Sequence, residues 1–156
     1  MMRVFITGGT GFVGQTLVAQ LREAGHTPTV LLLPNEVSPW SQEVPIMRGD
    51  ITNRGTLDLR GQDAVIHLAG AVGYGQTWEK ARRLNVDGTR NVAEAALSDG
   101  VHRFIQMSSV SVYGRQAGAI LSEDAPVKRI GDPYGDTKIE AEELLRELPL
   151  ALTIVR

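Results

Sequence analysis

Tyr134 and Lys138 stand four residues apart in a stretch that opens with Pro133, and Ser108-Ser109 closes a short apolar run upstream of it. Residues four apart on a helix share one face, so a phenol and an ammonium would lie about a turn from each other. An ammonium beside a phenol favours the phenolate and lowers its pKa from about 10, giving a proton acceptor and donor usable near neutral pH. A serine hydroxyl at a strand end can donate to an oxygen of a bound molecule and hold it against that tyrosine. Tyrosine–lysine pairs at this spacing are common on solvated helix faces. Here the pair gains meaning from its place, on a helix that follows the strand ending in the serines. Open α/β sheets bind their ligands at the carboxyl ends of their strands.

A second chemical signature lies near the N-terminus. Thr7-Gly8-Gly9-Thr10-Gly11-Phe12-Val13-Gly14 satisfies Gly-x-Gly-x-x-Gly at Gly9, Gly11 and Gly14, and Gly-x-x-Gly-x-x-Gly at Gly8, Gly11 and Gly14. Glycine serves such a loop by allowing a tight turn, letting a pyrophosphate touch bare backbone, and letting a helix pack close to a strand. The N–H groups and partial positive charge of the helix that follows then face the phosphates.

The elements that must position these groups alternate between strand and helix. Val4–Thr7, Thr29–Leu33, Pro45–Arg48, Ala64–Leu68, Phe104–Met107 and Leu152–Val155 read as strands. Helices are expected over Phe12–Ala24, with Val13, Leu17, Leu21 and Ala24 as the apolar stripe, and over Trp78–Ser98. The core side of the second carries Ala81, Asn85, Gly88, Val92 and Ala95. A third helix is expected from Pro133, a tolerated first position, to Glu147 before Pro149. Such alternation with right-handed crossovers is an α/β fold, a doubly wound parallel sheet, and residues 1–156 read as one domain. At this length a domain buries roughly 70% of its unfolded surface.

Composition narrows the function classes. A 42% apolar, 22% charged chain with net charge −2 and no basic block is not built for nucleic acid or an anionic membrane surface. There is no cysteine, and His26, His67 and His102 show no ligand spacing, so neither disulfides nor a metal site is expected. The apolar run before Gly8 is too short for a signal peptide or a membrane span, which makes a cytoplasmic protein the expectation.

Taken in order, the motifs resemble those of the extended short-chain dehydrogenases/reductases, the NAD-dependent epimerase/dehydratase group with an NAD(P)-binding Rossmann fold. Thr7-Gly8-x-x-Gly11-x-x-Gly14 is similar to the family's cofactor loop, and Gly49-Asp50-Ile51 to its adenine contact. His67-Leu68-Ala69-Gly70 resembles the segment after the fourth strand, and Asn85-Val86-x-Gly88-Thr89 the helix beyond it. Ser108-Ser109-x-x-Val112-Tyr113-Gly114 resembles the catalytic-serine segment, and Pro133-Tyr134-Gly135-x-Thr137-Lys138 the Tyr-x-x-x-Lys motif. The resemblance implies cofactor contacts from Gly8, Gly9, Thr10, Gly11, Phe12, Val13, Gly14, Asp50, Ile51, Leu68, Ala69, Gly70, Asn85, Tyr134 and Lys138. It singles out Ser109, rather than Ser108 or Ser111, as the third catalytic residue beside Tyr134 and Lys138. A small-molecule hydroxy or keto substrate is implied, a nucleotide-sugar above all. So is hydride transfer to and from the cofactor, with Tyr134 moving the proton. Read on its own, Asn85 suits a structural role and Tyr113 packing. Asp50 suits a turn cap as well as an adenine contact.

Two departures limit the resemblance. The second strand ends Leu31-Leu32-Leu33-Pro34-Asn35, with neither the acid that takes ribose hydroxyls nor an arginine for a 2′-phosphate; Glu36 is the nearest acid and lies beyond a proline. NAD and NADP both stay open, and the lack of Arg or Lys in that stretch favours NAD. The family also continues past the sixth strand into a substrate-binding part, so the chain reads as a truncated form whose own turnover is open. Val110-Ser111 lacks the acidic residues of family dehydratases, which favours an epimerase or keto-reductase. A non-catalytic dinucleotide sensor, or an inactive fragment, is the alternative; a sensor would need neither Tyr134 nor Lys138. Arg82, Arg83 and Arg90 on one helix and Glu140, Glu143 and Glu147 on the other suggest a homodimer that pairs these helices.

Overall fold

Six parallel strands form one sheet in the order β3-β2-β1-β4-β5-β6. They are β1 Arg3–Thr7, β2 Thr27–Leu32, β3 Ile46–Arg48, β4 Ala64–His67, β5 Arg103–Met107 and β6 Ala151–Val155. The helices are α1 Phe12–Glu23, α2 Trp78–Arg82, α3 Gly88–Ser98 and α4 Pro133–Arg146. The computed structural model describes residues 1–40, 43–73, 75–115, 118 and 120–156. The doubly wound α/β expectation holds.

Side chains alternate across β1, as the strand period of two requires. Phe5 joins Val65 and Phe104 beneath Val92 and Ala96 of α3 and Leu144 and Leu145 of α4. Val4 and Ile6 point the other way, to Val18 of α1 and Val30 and Leu32 of β2. Two apolar layers therefore clamp the sheet, and the central strands are buried on both faces. The strand order reverses between β1 and β4, so their carboxyl ends at Thr7 and His67 flank the crevice where such sheets bind ligands.

β2 begins at Thr27, two residues before the expected start, and includes Pro28. Thr27 donates to the Met2 carbonyl, towards β1, so the nitrogen of Pro28 faces the opposite side. The short β3 pairs only from Val30 onwards and needs no donor there. α1 ends through Gly25 at φ +78°, with His26 N donating to the Leu21 carbonyl at 2.8 Å.

The expected stripe of α1 needs correcting. Gly14 and Val18 are its buried positions and Leu17 and Leu21 are partly buried, while Val13 and Ala24 are exposed. Gly14 sets the rotation: a Cβ there would lie 2.3 Å from the Gly8 carbonyl oxygen, so this bare face presses on the turn and Val13 swings outward. The long helix keeps its expected stripe of Ala81, Asn85, Gly88, Val92 and Ala95, all buried. It is not α-helical throughout, since a π turn over Arg83–Asp87 joins α2 to α3 and carries Asn85.

β6 is an edge strand whose residues alternate between exposed and partly buried. Beside it runs a groove of about 920 Å³ bordered by Leu148, Leu152, Ile154 and Arg156. It is larger than the cleft at the switch point, but it carries neither the glycine turn nor Tyr134.

Candidate functional site

The cleft at the switch point has a volume of about 610 Å³. Gly8, Thr10, Gly11, Phe12, Val13 and Gly14 line one wall, Asp50 and Ile51 the end by β3, and Leu68, Ala69 and Gly70 the other wall. Tyr134 and Ser108 border the far end. Gly9, Asn85, Lys138 and Ser109 lie outside this lining. Gly9 packs on β2, where a Cβ would come within 2.6 Å of a Val30 methyl.

The glycine turn packs tightly on β4's exit and leaves bare backbone along the cleft. Gly8 sits at φ +70°, and a Cβ on it would lie 2.7 Å from the Ala69 amide. Gly11 caps α1 without any side-chain hydrogen bond, so the first-turn amides keep their donors for another acceptor. Phe12 and Val13 are exposed beside them. These features fit a pyrophosphate.

The opposite wall is held by buried polar bonds. Thr89 Oγ1 donates to the Asn85 carbonyl at 2.7 Å, so it accepts from His67 Nε2 at 3.1 Å. His67 Nδ1 then accepts from Thr7 Oγ1 at 2.6 Å, and Thr7 Oγ1 accepts from Ala69 N at 3.2 Å. Burial first, and the Lys138 charge second, push the His67 pKa down to about 3, which keeps the ring neutral. Asn85 accepts from Ala71 N at 2.8 Å and donates to the Ala71 carbonyl and to Thr137 Oγ1. Both amide hydrogens are used within the protein, so Asn85 shapes the wall and ties it to α4.

Asp50 serves as a turn cap: its Oδ1 accepts from Thr52 N at 2.8 Å, leaving Oδ2 without a partner among the described residues. At the other end, Asp132 caps α4 by accepting from Gly135 N at 2.8 Å, and Pro133 occupies the first turn. This start fixes the face on which Tyr134 and Lys138 follow. Lys138 is buried, donates to the Met107 carbonyl at 3.0 Å, and has its pKa lowered by burial to about 8 against the opposing pull of Glu142. Tyr134 is half-buried and borders the cleft.

The neighbouring serines separate by role. Ser108 is buried and donates to Glu142 Oε1 at 2.5 Å. Ser109 accepts from Ser111 N at 3.1 Å and donates to Ser111 Oγ at 3.1 Å, at the start of a 3₁₀ turn over Val110–Tyr113. The Ser109 hydroxyl is the more accessible of the two. Tyr113 is buried under Arg156, whose guanidinium carbon is 5.2 Å from its ring centre.

Two residues near the site were given no role by the sequence, although Glu36 stands there as the nearest acid after β2. Glu36 returns to the cleft beside Thr10, and buried Glu142 anchors Ser108 and Arg156. Spacing carries no signal for Glu36, because a proline and an open loop separate it from β2. Glu142 stands four residues after Lys138 on α4, a helical step that was available. Among the described residues no three His, Cys, Asp or Glu side chains gather as a metal site would require. No helix among them is long and apolar enough to cross a membrane.

The sequence model of the NAD dependent epimerase/dehydratase family matches residues 4–151. The UDP-glucose 4-epimerase of Neisseria meningitidis serogroup A is 31% identical, over 97% of this chain and 49% of that protein. The Bordetella bronchiseptica enzyme WbmG, solved with NAD and UDP, superposes with a TM-score of 0.86 at 27% identity, over 99% of this chain and 52% of that one. A short-chain dehydrogenase/reductase superfamily protein from Agrobacterium tumefaciens, solved with bound NAD, gives 0.85 at 30% identity over 99% and 48%. The chain thus spans about half the length of the proteins it matches.

Proposed function

The chain belongs to the NAD dependent epimerase/dehydratase family, and we propose that residues 1–156 form its dinucleotide-binding domain, holding NAD and the proton-transfer groups of a nucleotide-sugar epimerase or keto-reductase. The observation that carries this reading is a single cleft. It joins an uncapped helix N-terminus behind a glycine turn to Tyr134 at its opposite end. NAD bound by the solved neighbours and UDP bound by WbmG support it, as does the activity of the Neisseria relative.

The backbone of the turn and the first amides of α1 receive the pyrophosphate, and Asp50 Oδ2 accepts from the adenine amino group. The nicotinamide supplies the hydride chemistry. Tyr134 takes the proton from a substrate hydroxyl when its carbon is oxidised and returns it on reduction. Lys138, held by the Met107 carbonyl, stays largely protonated at neutral pH and has donors left for the ribose. Ser109 exchanges its part-buried bond to Ser111 Oγ for one to the substrate oxygen, while the buried Ser108 stays with Glu142. A cytoplasmic setting and a homodimer through α2, α3 and α4 belong to the same proposal.

The test is a fluorescence titration with NADH of the parent and of Gly11→Val. A Cβ at Gly11 has the Gly8 carbonyl oxygen, at 3.3 Å, as its one close neighbour, so the turn must yield by a few tenths of an ångström, and a urea unfolding curve of the variant checks that the fold persists. The parent binds and the variant loses at least about tenfold in affinity. Equal binding by the two proteins would refute the phosphate site. Adding UDP-sugars to the NAD-loaded protein and following nicotinamide reduction tests the enzymatic part. Firm binding with no reduction in any arm would favour a dinucleotide sensor or an inactive form.

A further inference from the structure

The connection that leaves β2 turns at Pro34 and Asn35 and then brings a carboxylate back to the cleft. Glu36 Oε1 accepts from Thr10 Oγ1 at 2.6 Å, and Oε2 accepts from Leu33 N at 3.0 Å. One bond reaches into the glycine turn and the other into the residue that follows β2. Arg48 Nη1 secures the loop from outside by donating to the Leu33 carbonyl at 3.0 Å and to the Glu36 carbonyl. Glu36 lines the cleft together with Leu31 and Leu33, whereas Arg48 does not. The carboxylate therefore stands between the turn and the carboxyl end of β2, although it comes four residues after that strand ends.

We propose that Glu36 is the residue that selects NAD over NADP. The inference rests on the reading of the cleft as a dinucleotide site. In doubly wound sheets the adenosine ribose lies at the end of the second strand, where a carboxylate accepts from its hydroxyls. Each oxygen of Glu36 keeps acceptor capacity beyond the one bond it makes, so the pair can take both hydroxyl donors. A 2′-phosphate in the same place would replace a donor with a multiply charged anion against a fixed carboxylate, which is repulsive. The guanidinium that contacts this loop among the described residues, that of Arg48, has its Nη1 engaged by two main-chain carbonyls that hold Glu36 in position. Selectivity thus passes from a residue at the strand end to one delivered by the loop.

The experiment titrates the parent, Glu36→Gln and Arg48→Met with NADH and with NADPH. The parent binds NADH at least about tenfold more tightly than NADPH. In Glu36→Gln the amide oxygen accepts from Leu33 N and the amide nitrogen donates to Thr10 Oγ1, so the loop survives, yet the NADH preference shrinks by about tenfold or more as NADPH binding improves. An unchanged ratio in Glu36→Gln overturns the assignment while leaving the dinucleotide reading intact. A parent that prefers NADPH, with the preference lost in Arg48→Met, also overturns it and assigns the pocket to Arg48. If the parent binds neither cofactor, the dinucleotide reading itself fails and takes this inference with it.

Discussion

The Ser108 hydroxyl donates to Glu142 Oε1 at 2.5 Å, tying the residue before Ser109 to the helix that carries Tyr134 and Lys138. Arg156 completes the clasp, with Nε 3.0 Å from Glu142 Oε1 and Nη2 2.6 Å from Oε2, and Nη1 donating to the Tyr113 hydroxyl at 3.1 Å. The end of β5, the end of β6 and α4 thus meet on one buried carboxylate. Burial alone would raise its pKa, but Arg156 and Ser108 together outweigh that and hold it below the usual range. Removing the carboxylate leaves a poorly hydrated guanidinium and an unpaired hydroxyl. Glu142→Ala should therefore lose about 3–5 kcal/mol in urea unfolding. A loss under about 1 kcal/mol would show that the clasp contributes little.

His67 should make folding stability sensitive to mild acid. Its folded pKa of about 3 lies below the unfolded value near 6.5, so only the unfolded chain takes up this proton as pH falls through the window between them. The stability is complete above about pH 6.5 and about 2 kcal/mol lower at pH 5. The lowered carboxylates Glu142, Asp58 and Asp63 titrate below that range and do not compete. Urea unfolding at the two pH values measures the drop, and His67→Gln should abolish it. An equal drop in the variant would point to another group.

Lys138 has the same sign, and burial is again the leading cause. Its folded pKa of about 8 is below the unfolded 10.4, because burial disfavours the ammonium. Below pH 8 the folded state bears that cost, and between pH 8 and about 10 rising pH stabilises the fold as the unfolded chain alone keeps the proton. Lys138→Met removes the charge and keeps the length. At pH 7 it should gain about 1–3 kcal/mol, the burial cost less the lost bond to the Met107 carbonyl. NADH binding should weaken in the same protein. A variant that is both less stable and equally able to bind would contradict the role given to Lys138.

The helix surfaces expected to pair two copies are already partly neutralised within one. Glu140 lies 3.8 Å from Arg82 and 3.7 Å from Arg129, and Glu143 is 2.5 Å from Arg129. Arg83, Arg90 and Glu147 have no ion pair among the described residues and remain for a partner copy. A dimer held by so few charges should appear by light scattering at low salt and dissociate as ionic strength rises. A monomeric mass at low salt and high concentration would dispose of it.

What the sequence by itself determined is local. Strand and helix periods, the glycines between β1 and α1, and the proline that opens α4 each act through neighbours in the chain. The sheet, the glycine turn between β1 and α1 and the shared face of Tyr134 and Lys138 were therefore legible, as was the core stripe of the long helix. Tertiary contact decided the rest. The rotation of α1 depends on Gly14 meeting Gly8, which turns Val13 outward against the apolar pattern. The π turn places Asn85 between Ala71 and Thr137, partners 14 and 52 residues away. The different roles of Ser108 and Ser109 depend on a carboxylate on α4, and the return of Glu36 on a hydroxyl 26 residues earlier. Periodicity reports which face of an element is apolar. It does not report which polar atom meets which across the fold, because that is set by where other elements stop, and the site is made of those meetings.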